Sequence, residues 1–159
     1  GFVAGDEYAL PTREKTLGHL DALRAAQLQD GLVAHSTFTV GGGREALREL
    51  LSPAAERPTA VICSSDLMAI GALQEATAFG LQVPQDLSIV GFDGIDAASW
   101  TNPPLTTVEQ PIDEIARTAV EALRSQVERP SERQPSYVFR PRLRLGGTTA
   151  PPASASATS

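Results

Sequence analysis

Chemistry-bearing side chains are scarce in this chain. Its 159 residues include one cysteine, one tryptophan, one methionine, two histidines and two tyrosines. With Cys63 alone no intrachain disulfide can form, and a metal site built only from thiolates is impossible. Cys63 lies inside an apolar run, where cysteine behaves as a small buried hydrophobe, and no histidine stands near it in sequence to activate a thiolate. His19 and His35 belong to no H-E-x-x-H arrangement. There is also no C-x-x-C, no G-x-S-x-G and no GK[ST] phosphate loop. No apolar run approaches the length of a membrane span, and no signal peptide opens the chain. Basic charge is short as well. Lys and Arg number 13 against 19 Asp and Glu, for a formal charge of −6, so no net field draws the chain to nucleic acid. Arg140, Arg142 and Arg144 alternate along one late strand and read as a solvated face. The opening GFVAGD reads as the inside of a fold, so a fragment is expected.

What is present centres on residues 58–96. Thr59–Ser64 is a short apolar, β-branched run, as in a strand buried on both faces. Ser64, Ser65 and Asp66 supply side-chain oxygens where a helix begins, so one of them should be its N-cap. Leu67, Ile70, Leu73, Ala76 and Thr77 follow at helical spacing. Gly80 stands where a helix ends in the left-handed conformation, and Pro84 blocks continuation. Leu87–Phe92 is a second apolar run, closed by Asp93-Gly94. Two buried strands joined by a helix imply a parallel pair with a right-handed crossover. In such sheets ligands bind beyond the carboxyl ends of the strands. Polar side chains gather at both ends: Ser64, Ser65 and Asp66 after the first strand, Asp93 and Asp96 after the second.

The flanks extend the pattern. Phe2–Gly5 reads as a strand, and residues 8–12 as a loop. Thr12 is expected to cap a helix carrying Leu17, Leu20, Leu23 and Leu28, which Gly31 ends. Leu32–Val40 alternates like a strand. Gly41, Gly42 and Gly43 break it by a close backbone approach, and Arg44–Leu51 is helical with Leu47, Leu50 and Leu51 inward. Residues 52–57 form a loop. Beyond Trp100, Leu105–Gln110 is strand-like and Pro111 stops it. Ile112–Val127 is an amphipathic helix with Asp113 and Glu114 in its first turn, where the dipole favours them. Residues 129–135 form a linker, and Tyr137–Leu145 is a last strand. The fold class is therefore α/β, a doubly wound parallel sheet with helices on both faces. The low-complexity tail, 149–159, is expected to be disordered.

Three ordered stretches, SSDLMAIGAL, GLQVPQDLSIVGFDGID and PPLTTVEQP, resemble the effector-binding core of LacI/GalR-type bacterial transcription regulators. The family form is close to ND-x-MA-x-GAL, then G-x-x-VP-x-D-x-S-x-VGFD, then PPLTTV-x-Q. An early stretch, VAGD…TREKTLGHLDAL, is similar to the family's G…R-x-x-G-x-x-x-AL. The resemblance covers about residues 2–148. It implies the C-terminal lobe of a two-lobed, periplasmic-binding-protein-like core, without headpiece, hinge or most of the N-terminal lobe. Residues 1–148 would be the effector-binding and dimerisation domain. Within it, 111–128 would be the crossover helix of the missing lobe, whose apolar stripe then packs on another chain or rearranges.

By this resemblance Asp93 accepts hydrogen bonds from effector hydroxyls, and Gln110 is a polar cleft residue from a crossover strand. Phe38 falls where an aromatic stacks on a sugar face. Asp66 matches the acid of the ND pair, with a capping role. Ser65 replaces the frequent Asn, Lys15 the usual Arg, and Gly146 a charged residue near the end. Leu67, Ile70 and Trp100 lie on the surfaces through which such regulators dimerise. The implied partners are a sugar or related polyol, a second copy of the chain, and operator DNA only through a headpiece outside this sequence. No membrane, metal or cofactor is implied, and the compartment is cytoplasmic. A periplasmic sugar receptor of related fold is the alternative. An enzyme on a doubly wound sheet ranks third, for want of a catalytic set.

Overall fold

The computed structural model describes residues 1–52, 57–131, 133 and 135–152. The chain runs β1 (Phe2–Ala4), α1 (Leu10–Ala25), β2 (Val33–His35), α2 (Val40–Leu50), β3 (Ala60–Cys63), α3 (Asp66–Ala78), β4 (Ser88–Asp93), β5 (Thr106–Glu109), α4 (Ile112–Glu128) and β6 (Arg142–Arg144). A short 3-10 turn, Asp96–Ser99, lies between β4 and β5. The strands form one sheet in the order β2-β1-β3-β4-β5-β6. All pairings are parallel except that of β5 with β6. The expected α/β class holds, with an antiparallel edge.

The strand order dictates where the helices go. β1 to β2 moves one way along the sheet, and β2 to β3 moves back past β1. With right-handed crossovers, α1 must then lie on the opposite face from α2 and α3. Side chains agree. Phe2 stacks on His19 of α1, with centroids 5.1 Å apart. Its neighbour Val3 points the other way, into a core shared with Leu47, Leu50, Met68, Ala72 and Ile89. Burying each such aliphatic side chain contributes about 1.5–3 kcal/mol. The α1 face is less completely covered. Ile62, in register with Phe2, is 38% exposed in mid-strand.

Several local expectations shift. Leu32–Val40 yields only a three-residue strand, because Thr39 turns out to be the N-cap of α2, accepting a hydrogen bond from Gly42 N at 2.9 Å. The three glycines sit inside that helix rather than before it. For two of them the reason is packing: a Cβ on Gly42 would collide with the Thr37 carbonyl and one on Gly43 with the Met68 carbonyl, just as one on Gly71 would with the Val40 carbonyl. Helix α1 begins at Leu10 with Pro11 in its first turn, so Thr12 is buried in the helix instead of capping it. The expected leucine face of α1 holds in part: Leu20 and Leu23 are half-buried, with Thr12, Lys15 and His19 on the same side, while Leu17 is exposed and Leu28, past the helix end, is exposed too. Helix α1 ends at Ala25, with Gln27 rather than Gly31 taking a positive φ of 57°. In α3 the buried apolar side chains are Met68, Ala69, Ala72, Leu73 and Ala76, and Leu67 faces solvent. The last strand shrinks to Arg142–Arg144. Gly80 does take a positive φ, 75°. Helix α4 spans the expected residues and buries none of them. Parts of the 52–57 loop, of the 129–135 linker and of the 149–159 tail lie outside the described residues.

Beyond β6 the chain ties the sheet together from behind. Thr148 is fully buried. Its Oγ1 donates to Ile89 O at 2.6 Å and accepts from Thr106 N at 2.9 Å, while Ile89 N donates to Thr148 O at 2.8 Å. Gly146 and Gly147 allow this route, since a Cβ at 146 would strike the Pro104 carbonyl. That is what replaces the charge expected there.

An ion-pair cluster joins α2 to α3. Glu75, 3% exposed, accepts from Arg44 Nε at 2.9 Å and pairs with Arg48 Nη2 at 2.7 Å. The Arg44 guanidinium, helped by Arg48, holds the Glu75 carboxyl below its ordinary range despite burial. A depressed carboxyl contributes stability above its unfolded value, about 4.3, and loses it as pH falls through its folded value.

Two predictions follow from this packing. Gly43→Ala and Gly71→Ala each lower stability by about 1–3 kcal/mol through overpacking. Gly18→Ala, in α1 with nothing near its Cβ, raises stability by about 0.5–1 kcal/mol; urea unfolding reads all three. Glu75→Gln weakens the fold at pH 7 by less than the about 3–5 kcal/mol seen where an orphaned charge is buried, because both arginines are half exposed. The same substitution flattens the loss of stability on acidification, read from melting curves between neutral and acid pH.

Candidate functional site

Helices that follow parallel strands start at the strands' carboxyl edge, and the polar rim gathers there. At its centre Asp93 ends β4 with φ +119°, a region that non-glycine residues rarely adopt. Gln110, just beyond β5, holds it twice. Gln110 Nε2 donates to Asp93 Oδ1 at 2.8 Å, and Gln110 N donates to Asp93 O at 3.2 Å. Burial pushes the Asp93 carboxyl up from its ordinary range, against the pull of the Lys15 ammonium and the Gln110 hydrogen bond; the charge of Asp66 adds to the rise.

Lys15 comes from α1. Its Nζ donates to Ser64 O at 2.9 Å and stands 3.7 Å from the centroid of the Phe92 ring. Ammonium over an aromatic face is a cation–π contact, worth about 0.5–2 kcal/mol. Burial lowers the Lys15 pKa, while Asp93 and Asp66 pull it back up. This lysine is thus fixed by a carbonyl and a ring, and it faces the rim's negative charge. The contribution of Phe92 escaped the sequence reading, although the residue lies inside the VGFD motif.

Phe38 lies in the 36–39 loop before α2. Its ring rests on Gly5, where any Cβ would collide with it, and it stays 39% exposed. His35 Nδ1 lies 3.1 Å from Gly5 O, so Gly5 is bracketed by ring and imidazole. Ser65 is the N-cap of α3: its Oγ accepts from Met68 N at 3.3 Å, and the residue is buried.

Asp66 departs from the expected capping role. It is the first residue of α3, not its cap, and it is 0% exposed. Oδ2 accepts from Gly94 N at 2.8 Å and Ile95 N at 2.9 Å, and Oδ1 accepts from Thr107 Oγ1 at 2.5 Å. Its carboxyl is committed to the protein interior, out of reach of a ligand. Thr107 was not singled out in the sequence, though it belongs to PPLTTVEQ.

A groove of about 620 Å³ opens beside Asp93 and Gln110, with Pro111, Ile112, Arg117 and Arg142 also on its wall. Lys15, Phe38 and Ser65 are not part of that wall. Arg142 thus faces a recess, and Arg144 Nη2 donates to Ile95 O at 3.2 Å; the late arginines are not merely a solvated face. Of the remaining predicted residues, Ile70 lines a second groove of about 370 Å³ with Leu73, Thr77, Val83 and Pro103. Leu67 is exposed on the same helix, and Trp100 is 78% exposed at the end of the 3-10 turn. Among the described residues no cluster of His, Cys, Asp and Glu could hold a metal ion, and no helix is long and apolar enough to cross a membrane.

A doubly wound sheet with an acid–amide pair at its carboxyl edge fits a binding lobe. Residues 2–149 match the periplasmic binding protein-like domain, and the chain belongs to that family. The resemblance to LacI/GalR-type regulators is borne out by individual relatives. The chain is 42% identical over 130 residues to the HTH-type transcriptional repressor CytR of Escherichia coli, covering 80% of this chain and 38% of that protein. Among solved structures it is similar to the transcriptional regulator CelR–cellobiose complex, with TM-score 0.87, 31% identity, and coverage of 93% of this chain and 46% of that one. It is also similar to the dimeric Lac repressor with an 11-residue C-terminal deletion, with TM-score 0.88, 27% identity, and coverage of 96% and 55%. The chain spans less than half the length of the curated relatives it matches.

The electrostatics of Asp93 generate a prediction with a definite sign. An acid whose pKa is raised by folding adds stability below its unfolded value and loses it as pH rises through the folded value. Ionised Asp93 therefore costs stability at neutral pH. Asp93→Asn, which keeps the shape without the charge and tolerates positive φ, is expected to melt higher than the parent at pH 7. The gap should close as pH falls through the Asp93 titration, measured by thermal melts from pH 7 to 4.

Proposed function

We propose that this chain is the effector-binding and dimerisation part of a LacI-type DNA-binding regulator, a repressor that answers to a sugar or related polyol. The carrying observation is Asp93. A half-buried carboxyl held at a fixed angle by Gln110 accepts from two neighbouring hydroxyls at once when ionised. Lys15 and Phe38 complement it with one fixed cation and one exposed aromatic face, the pairing that suits a ring with hydroxyl edges and an apolar side. Ser65 supplies the capping hydroxyl at the start of α3. Operator DNA is contacted through a headpiece outside this sequence, and the compartment is cytoplasmic. Chemistry on the ligand is not part of the proposal: the rim carries no nucleophile–base pair. A periplasmic receptor of related fold has less support, since CytR and CelR are both named as transcription regulators.

Two further features belong to the same reading. The exposed stripe Ile112, Val120, Leu123 and Val127 on α4 supports reading residues 111–128 as the crossover helix of a second lobe. The exposed Leu67 and Trp100, with Ile70, form the subunit contact. A large aromatic left 78% exposed fits an interface anchor.

Ligand melting tests the effector. Cellobiose, D-ribose and a panel of neutral monosaccharides are to be titrated against the chain. A binding sugar raises the melting temperature, by about 2.7 kcal/mol of stabilisation at a hundredfold excess over Kd, and is recovered unchanged. Asp93→Asn abolishes that shift. A sugar that is turned over, or a shift indifferent to Asp93, would sink the reading. For the contact, Trp100→Ala should move the sedimentation profile toward monomer; an unchanged profile removes Trp100 from it.

A further inference from the structure

We infer that Asp66 is the positioning residue of the effector site: it holds Asp93 in its unusual backbone conformation without touching ligand. The inference rests on the reading of Asp93 as the effector carboxylate, and it concerns how that residue is held in place.

The geometry starts from the backbone. Asp93 at φ +119° is followed by Gly94 at φ +80°. Glycine accepts such a value freely, but aspartate at such a φ is strained and persists only where its surroundings over-determine it. Two restraints are visible on the C-terminal side of Asp93. Gln110 grips Asp93 itself. The other restraint is Asp66, whose single oxygen Oδ2 collects the successive amides of Gly94 and Ile95. Two adjacent N–H groups can converge on one acceptor only when the chain between them is curled, so this carboxyl fixes the turn at Gly94 directly after Asp93, the turn that Asp93 enters at positive φ. Charge-assisted bonds of this type are about twice as strong as neutral ones.

Asp66 is itself anchored. It opens α3, directly after the Ser65 cap, so its main chain is fixed by a helix packed against α2 through Gly43 and Gly71. Its second oxygen is taken by the Thr107 hydroxyl on β5. Gly91 gives it room, since a Cβ at that position would meet Oδ1. Ile95 is held from the other side by Arg144, which donates to its carbonyl. The carboxyl thus joins α3, β5 and the turn after β4 at one buried point.

The test reads the Asp93 backbone directly and needs no ligand. In labelled chain the three-bond coupling between amide and α protons is small at φ near +119° and large in an extended strand. The parent should show the small value. Asp66→Ala should move it to the large value while the protein still melts cooperatively. Asp66→Asn should restore the small value: its oxygen serves the two amides, and its amide donates to a rotated Thr107 hydroxyl. A small coupling that persists in Asp66→Ala, or a large one in the parent, overturns the inference. If Asp66→Ala fails to fold, scalar couplings across the hydrogen bonds from the Gly94 and Ile95 nitrogens to the Asp66 carboxyl carbon decide it in the parent, and their absence overturns it. With a sugar that binds the parent, Asp66→Ala should weaken affinity at least tenfold and Asp66→Asn much less. If neither cellobiose nor D-ribose binds the parent, the effector reading fails while the backbone couplings still decide the role of Asp66.

Discussion

Helices α2 and α3 approach closely enough that two of their positions have no room for a side chain. Gly43 faces the Met68 carbonyl and Gly71 the Val40 carbonyl, so each helix seats its backbone against the other. The rest of the edge depends on this contact. It brings together the start of α2, with the Phe38 loop before it, and the start of α3, with Ser65 and Asp66. Across the same seam Glu75 draws Arg44 and Arg48 onto one buried carboxyl, so the pair is joined by charge as well as by fit. A larger residue at either glycine would displace the two polar ends together.

The rim built on that base is a graded set of charges. Asp66 lies deepest and is fully satisfied by protein donors. Asp93 is half-buried and shares itself between Gln110 and the open edge. Lys15 bridges toward both through Ser64 and Phe92. Burial works against the charged form of Lys15 and of Asp93, and each partly restores the other. A hydroxyl that accepts from one and donates to the other would meet both needs.

Much of this was legible in the sequence where local chemistry and tertiary demand agree. The buried strand at Ile89, the serine cap before α3, Gly80 at its end and the amphipathic α4 all announce themselves through propensity and period. The misses share a cause. Gly41–Gly43 read as a strand breaker because glycine disfavours helix, yet the neighbouring helix needs the missing side chain of Gly43. Leu17 read as part of the inner face of α1, yet beside the half-buried Leu20 and Leu23 that face takes Thr12, Lys15 and His19, leaving Leu17 in water. Asp66 read as a capping acid, because nothing local says that a side chain will cross to the turn after β4. Those long-range demands leave no mark within a ten-residue window. The ordered motifs carried Asp93 and Gln110 because both stand at strand ends, where the chain direction alone places them on the rim.

Thr148 has a temporal meaning. It occupies hydrogen-bonding groups of Ile89 and Thr106, two strands made 59 and 42 residues earlier in the chain. A ribosome emitting this chain releases the βαβ unit around α3 well before it releases Thr148. Until then the starts of β4 and β5 carry an unclosed seam, with the Ile89 amide and carbonyl and the Thr106 amide left to water. Loop closure of that span must precede its reward. The segment around Thr148 therefore sets when the centre of the sheet can seal, and nascent chains stopped short of it hold an incomplete sheet.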